Sequence, residues 1–335
     1  MSLILSILMT VSPYLARVYE YMPAPGQFVN AMPVATADDT PQTMAAKAEA
    51  AIANNANKTV CLGAWGGYIV FGFDHPVVNS GDDYDFRIKG NATYASYAQD
   101  TTRKGGASEP GIVLVSYDAN DNGLPDDTWY ELAGSEYNSP QTIRHYAVTY
   151  TRPNGLEDVP WTDNRGGSGV VPRNEFHQQD YYPLWAPDEL TFTGSRLAPN
   201  AVDEGENGEH SFILYCYDYG YADNHPNKTD GCKFCIRWAV DQNGAPKDLP
   251  AIHFVKVYTA VQQVCGWIGE TSTEITGAED LHPDMPLPDS PSAIETTPSS
   301  SSSLSPARPA KLLRNGQLLI IRGESTYTIT GQAVR

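Results

Sequence analysis

Positive charge is scarce in this sequence. Lysine and arginine number 22 against 40 aspartates and glutamates, a formal net charge of -18. A chain so acidic lacks the basic face that phosphate binding needs, which excludes nucleic acid as a partner and disfavours docking on anionic membrane surfaces. Cysteine is scarce too. Cys61, Cys216, Cys232, Cys235 and Cys265 are too few and too scattered for a disulfide scaffold, leaving room for one or two bridges at most. No apolar run reaches the roughly 18 residues of a membrane-spanning helix. The HExxH, P-loop and nucleophile-elbow signatures are missing. Gly166-Gly167-Ser168-Gly169-Val170 comes nearest to the elbow and lacks its final glycine. Cys232 and Cys235 form a C-x-x-C, but the alternation over residues 233–240 sends the two to opposite faces of a strand, against zinc or dithiol chemistry.

What is present reads mostly as strands. One helix is expected, with Thr40 as its N-cap, Pro41 in its first turn and strong helix formers from Met44 to Ile52, ended by Asn54 and Asn55. After Cys61 the pattern changes to short alternating segments. Tyr84, Phe86 and Ile88 alternate with charged residues, and Phe234, Ile236, Trp238 and Val240 alternate in the same way. Further strands are expected at 67–73, 112–117, 145–151, 189–193, 211–217 and 252–259, separated by Gly-, Asn- and Pro-rich turns. Many strands with one short N-terminal helix predict an all-β fold, a β-sandwich of jelly-roll type.

The expected organisation has four parts. Residues 1–16 read as a signal segment: an apolar stretch ending at Ala16, though without a basic n-region. Residues 17–284 form the sandwich. Residues 285–310, rich in Pro and Ser, are a linker that cannot bury enough apolar surface to fold. Residues 311–335 read as a terminal hairpin, with strands at 317–322 and 326–330 around a turn at 323–325.

The stretch DANDNGLPDD carries the clearest chemistry. Asp118, Asn120 and Asn122 offer oxygen from the first, third and fifth positions, the Leu124 carbonyl from the seventh and Asp126 from the ninth, with Gly123 allowing a sharp turn. Alternate oxygen donors around a glycine are how a loop delivers hard ligands to calcium. Asp127 and Glu131 are further carboxylates within reach, and Trp129 stands where an EF-hand would need Glu. The loop is similar to the helix-free calcium loops of thrombospondin type 3 repeats. Two neutral Asn ligands imply weak affinity, on the order of 0.1–1 mM as in extracellular modules. The same composition also makes an ordinary turn.

A second feature is aromatic. Tyr215, Tyr217, Tyr219 and Tyr221 recur with period two, so an extended chain would align their rings on one face, just before Asp223 and Asn224. Together with Tyr181, Tyr182 and Trp185, these residues suit a sugar or another flat ligand with polar edges. Tyr181, Tyr182, Trp185, Tyr219, Tyr221, Asp223 and Asn224 are the candidate ligand contacts. An aromatic inner face of the sandwich would produce the same pattern. Glu270 and Glu274 in GETSTE are a candidate carboxylate pair, though glycoside hydrolysis needs about 5–9.5 Å between such groups and no catalytic residue is assigned from sequence.

Two resemblances add to this reading. The terminal RNGQLLIIR…YTITGQ resembles the C-terminal sorting segments of the type IX secretion system of Bacteroidetes, which implies secretion or anchoring machinery as a partner of the tail. The segments GAWGGYIVFGFDHPVVN, EPGIVLVSYDANDNGLPDDTWYELAGSE, GYADNHPN and CGWIGETSTEITGAEDLH are similar to a group of secreted Bacteroidetes cell-surface proteins. That resemblance implies a secreted or surface location. It departs in lacking a lipobox cysteine near the N-terminus. The expectation is therefore a surface-displayed, calcium-binding β-sandwich that binds a ligand, glycan first. A glycan-active enzyme would show carboxylates facing each other across an aromatic cleft. A structural or adhesive module would show no pocket and a buried 215–221 face. Capture of another nutrient, such as a cobamide, is a variant of the binding reading.

Overall fold

The computed structural model describes residues 11–287, together with the backbone of four terminal strands. The first ten residues of the expected signal segment, most of the expected linker (residues 288–309) and the 323–324 turn lie outside the described residues. The chain divides into two units, Met1–Pro288 and Asp289–Arg335.

The first unit is an all-β sandwich of antiparallel sheets with one α-helix among its described residues. Its centre is a sheet whose strands run in the order Arg17–Met22, Tyr68–Val78, Ala251–Thr259, Gly111–Ser116, Trp129–Leu132, Ala239–Val240, with Tyr221–Ala222 also paired to Gly111–Ser116. The inner strands are near-continuous apolar runs rather than alternating ones, because both faces are covered. Ile69, Phe71, Val113, Val115, Val255 and Val257 point into one core, shared with the helix and with Phe86, Ile88 and Phe234. Tyr68, Ile112, Leu114 and Tyr258 face a second core. A four-stranded sheet in the order Ser168–Val171, Val159–Asp163, Ile143–Thr151, Glu189–Arg196 closes that second core with Tyr146, Val148, Tyr150, Leu190 and Phe192. These outer strands do alternate, since only one of their faces is buried.

The helix spans Pro41–Ile52 and starts as its sequence predicts. Thr40 and Thr43 form a reciprocal capping box and Pro41 occupies the first turn. Met44, Ala45, Ala48, Ala51 and Ile52 form its buried stripe. Its Glu49 carboxylate accepts from Val18 N at 3.0 Å, satisfying a donor where the first strand bulges.

Three expectations need correction. The alternation over 233–240 does not make one strand. It is Lys233–Phe234, a 3-10 turn Ile236–Trp238, then Ala239–Val240. All five cysteines are free thiols, and Cys232 and Cys235 donate to different carbonyls, those of Thr229 and Asp83. The folded domain also begins before residue 17. Leu15 is fully buried and bonds Ala278 O, and Pro13 O accepts from Asp280 N at 2.7 Å.

In the second unit the terminal segment forms a four-stranded antiparallel meander, Ala310–Arg314, Gln317–Arg322, Ser325–Thr328 and Ala333–Val334. Two more strands than the expected hairpin are present, which meets the requirement that a lone hairpin needs further partners.

Candidate functional site

The DANDNGLPDD loop joins two neighbouring strands of the central sheet, Gly111–Ser116 and Trp129–Leu132. Its side chains turn inward on one another. Asp118 accepts from Asn122 N at 3.1 Å and from Gly123 N at 2.8 Å, and Asn122 Oδ1 accepts from Leu124 N at 2.8 Å. The amides of Asn120 and Asn122 both reach the Asp126 carboxylate, at 3.3 and 3.0 Å, while Asp127 accepts from Ala119 N. Gly123 has φ +73°, in the left-handed region the sharp turn needs. Asp118 N donates to His253 Nδ1 at 3.1 Å, pinning the loop to a central strand. Burial works against the Asp118 carboxylate but is outweighed by the N–H groups of Gly123 and Asn122 and by His253, so its pKa lies below the usual value. The side chains of positions one, three, five and nine therefore gather in one loop, with the Asn120 and Asn122 amide nitrogens on Asp126 and the oxygens of Asp118, Asn120 and Asn122 held by backbone N–H groups.

The aromatic candidates are placed differently. Tyr181 and Tyr182 are fully buried in the second core, their hydroxyls bonded to Asn174 N and Pro187 O. Trp185 is half-buried and packs on the first core. The 215–221 tyrosines do not share one strand face. The strand ends at Tyr215, Gly220 has φ +89°, and pairing resumes only at Tyr221. Tyr221 is buried with its hydroxyl on Glu136 N, whereas Tyr219 is 44% exposed beside Trp238. Asn224 is a buried hub, accepting from Ser108 Oγ and Tyr217 N. Of these seven, only Asp223 belongs to the structure's most unusual polar cluster.

That cluster is the floor of a cleft of about 350 Å³ lined by Gln27, Phe28, Asn91, Phe176, His177, Trp267 and the carboxyls of Glu109, Glu270 and Glu274. Glu270-Thr271-Ser272-Thr273-Glu274 is buried along its whole length, with Glu270 3% and Glu274 4% exposed. Backbone and hydroxyl bonds hold it in place. Thr273 Oγ1 donates to Glu109 O at 2.8 Å, Ser272 N donates to the Glu109 carboxylate at 3.1 Å, and Leu62 N donates to Thr273 O at 3.0 Å. Asp223, at φ +52°, ties three segments together. Its Oδ1 accepts from Asn91 N and Ala92 N at 2.7 and 2.8 Å, and its Oδ2 from Glu274 N at 2.9 Å. Gly90 is the residue that admits this carboxylate, since a Cβ there would lie 2.1 Å from Asp223 Oδ1. Gly26 does the same for Glu270, whose Oε1 accepts from Gln27 N at 2.7 Å.

Electrostatically the cleft is under tension. Burial raises the pKa of all four acids: Glu270 to about 8, Glu109, and, well above the usual range, Asp223 and Glu274. The Glu109 charge adds to the shift of Asp223, Glu270 and Glu274. The Oε2 atoms of Glu270 and Glu274 meet no donor from the backbone or from another residue type, and the Glu274 carboxyl bonds to that of Glu109 when one of the two is protonated. No lysine or arginine lines the cleft. Above this floor stand two exposed rings in contact with one another, Trp267 at 55% and Phe176 at 64% exposure, with centroids 6.2 Å apart. Phe28 and His177 pack edge to face at 4.8 Å beside them.

Glu270 and Glu274 of GETSTE both line the cleft. Glu109 was missed as a site residue although Glu109-Pro110-Gly111 opens a strand, because nothing local distinguishes it from a solvated acid. No protein-family model matches this chain, and no curated protein does.

Proposed function

We propose that this protein is a secreted or surface-displayed β-sandwich that binds a glycan in the cleft over Glu109, Glu270 and Glu274, and that its Asp118–Asp127 loop holds calcium. One observation carries the binding reading: exposed apolar rings, Trp267 and Phe176, stand over buried carboxyl oxygens that have no partner. A sugar offers both matching surfaces, an apolar C–H face for the rings and hydroxyl donors for the oxygens. The volume suits one or two sugar rings at the lower end of ligand cavities, roughly 300–1,000 Å³. Calorimetric titration of the full chain with a panel of neutral oligosaccharides tests this. Trp267→Ala is expected to weaken binding of a responding glycan roughly tenfold, about 1.4 kcal/mol, while Tyr219→Ala, outside the cleft, leaves it unchanged. Equal affinity for native and Trp267→Ala protein, or silence across the panel, would overturn the reading.

The raised pKa of Glu270 favours a second reading, hydrolysis of the bound glycan. A carboxyl protonated at neutral pH is the proton donor that a glycosidic leaving oxygen needs, and Glu109 and Glu274 line the same cleft. Release of reducing ends by native protein, lost in Glu270→Gln with binding retained, would select this reading. Binding without release selects the first.

A further inference from the structure

Two acids that line the cleft, Glu109 and Glu274, and the fully buried Asp223 stand closer than bare charges can tolerate. Glu109, Asp223 and Glu274 each offer a carboxylate oxygen, and these oxygens lie within 4.8 Å of one another. Like charges that close, out of water and with no cation beside them, must be neutralised by something. Two neutralisers are available, a proton, which a protonated Glu274 would donate to the Glu109 carboxylate, and a metal ion held by all three acids.

The trio is built rather than accidental. Asp223 is fixed by three backbone N–H groups, which leave one of the roughly four lone-pair sites of its carboxylate unused. Glu109 is fixed by Ser272 N, and its own N–H donates to Asp223 O at 3.0 Å. Glu274, nine-tenths buried, keeps Oε2 without a partner. Three chain segments, each more than fifty residues from the next, are thus pinned so that a carboxylate oxygen from each lies within 4.8 Å of the others. Oxygens bound to one calcium at 2.3–2.6 Å are at most about 5 Å apart, which the trio satisfies. The donor set is all oxygen. The nearby Cys61 thiol is engaged with Ser272 Oγ at 2.9 Å instead of joining it, so a hard cation is indicated over zinc.

We propose that Glu109, Asp223 and Glu274 form a divalent-cation site of the calcium class, separate from the 118–127 loop, with its open coordination positions facing the cleft. Three protein carboxylates leave several of calcium's six to eight positions for water or for ligand hydroxyls. Glu270 lies outside the trio. The inference stands whether or not the cleft takes a glycan.

The test is a count of bound calcium on the chelator-stripped full chain by titration calorimetry, repeated with magnesium. Native protein is compared with Glu109→Gln/Glu274→Gln and with Asp118→Asn/Asp126→Asn. The cleft variant is expected to lose one equivalent per chain that the loop variant keeps. Failure of the loop reading alone would appear as a loop variant indistinguishable from native. Melting temperatures give an independent readout with a diagnostic inversion. In chelator the cleft variant should melt at or above native, because repulsion is relieved, and in excess calcium it should melt below. The single Glu109→Gln variant repeats both measurements if the double variant folds poorly. A cleft variant that binds as many cations as native, with the same affinity and no inversion, would show that protons alone neutralise the trio and would overturn the proposal.

Discussion

The loop at Asp118–Asp127 and the acidic cleft gather oxygens in opposite ways. The loop does so within ten residues of chain, at the surface, with its carboxylate pKa held down by backbone donors. The cleft does so across the fold, in the interior, with its pKa values pushed up by burial. A local site is specified by spacing and a single glycine. A distributed site is specified by whatever holds several segments in register, and here that is the Asp223 carboxylate and the glycines beside it. The two regions should therefore fail differently when their glycines are changed.

Gly90→Ala should produce the largest effect. A Cβ at 2.1 Å from Asp223 Oδ1 must displace the carboxylate that accepts from Asn91, Ala92 and Glu274. Overpacking and the loss of three buried hydrogen bonds together should cost about 3 kcal/mol or more. Gly123→Ala is the matched control. Nothing lies within 4 Å of its Cβ, so only its φ of +73° is penalised, at about 1 kcal/mol. Urea unfolding of both variants decides the comparison. Equal losses would mean that Asp223 is not the organising group of the cleft.

The next effect is in pH, where the regions should differ in sign. In the fold Glu270 holds its proton up to about pH 8, against 4.5 for an unperturbed Glu. Between those values the folded chain binds a proton that the unfolded chain has released. Stability then falls as pH rises through that window, by up to about 1.4 kcal/mol per unit. Glu109, Asp223 and Glu274 shift in the same direction, so the readout is the native-minus-Glu270→Gln difference in unfolding free energy, measured in chelator from pH 5 to 8. That difference should decline steadily. Asp118 behaves oppositely. Its lowered pKa supplies stability above pH 3.8 that is lost as pH falls through the folded value. A flat difference for Glu270 would mean that water reaches its carboxyl.

These contrasts also explain what could be read from the chain alone. The helix was legible because Thr40, Pro41 and the apolar stripe are local signals, and the central strands were legible because burial on both faces makes them unbroken apolar runs. The turn at Asp118–Asp127 was legible because its Asn, Asp and Gly residues all sit in one decapeptide. The tyrosine series misled because period two implies a strand only while the backbone stays extended, and Gly220 breaks it. The segment 233–240 misled in the same way, its alternation interrupted by a turn at 236–238. Glu109 carried no local mark at all. Its role exists only through Ser272 and Asp223, which reach it across 163 and 114 residues of chain, and a partnership of that kind is set by sheet topology.

The smallest effect belongs to the loop, and it separates the two regions most cleanly. If Asp118, Asn120, Asn122 and Asp126 hold calcium with an affinity on the order of 0.1–1 mM, then at ten times the dissociation constant calcium stabilises the fold by only about 1.4 kcal/mol. Asp118→Ala together with Asp126→Ala should remove that increment in melts with and without calcium, while leaving the cleft's cation response and its glycan binding intact. The magnitude follows from placement. The loop crosses between strands already paired in the central sheet, so the ion would tighten a turn that the sheet has largely fixed, whereas in the cleft the neutralising species decides whether three carboxylates can coexist. A loop variant that also abolished the cleft's response would mean that the two regions are one linked site, and the division drawn between local and distributed oxygens would fall.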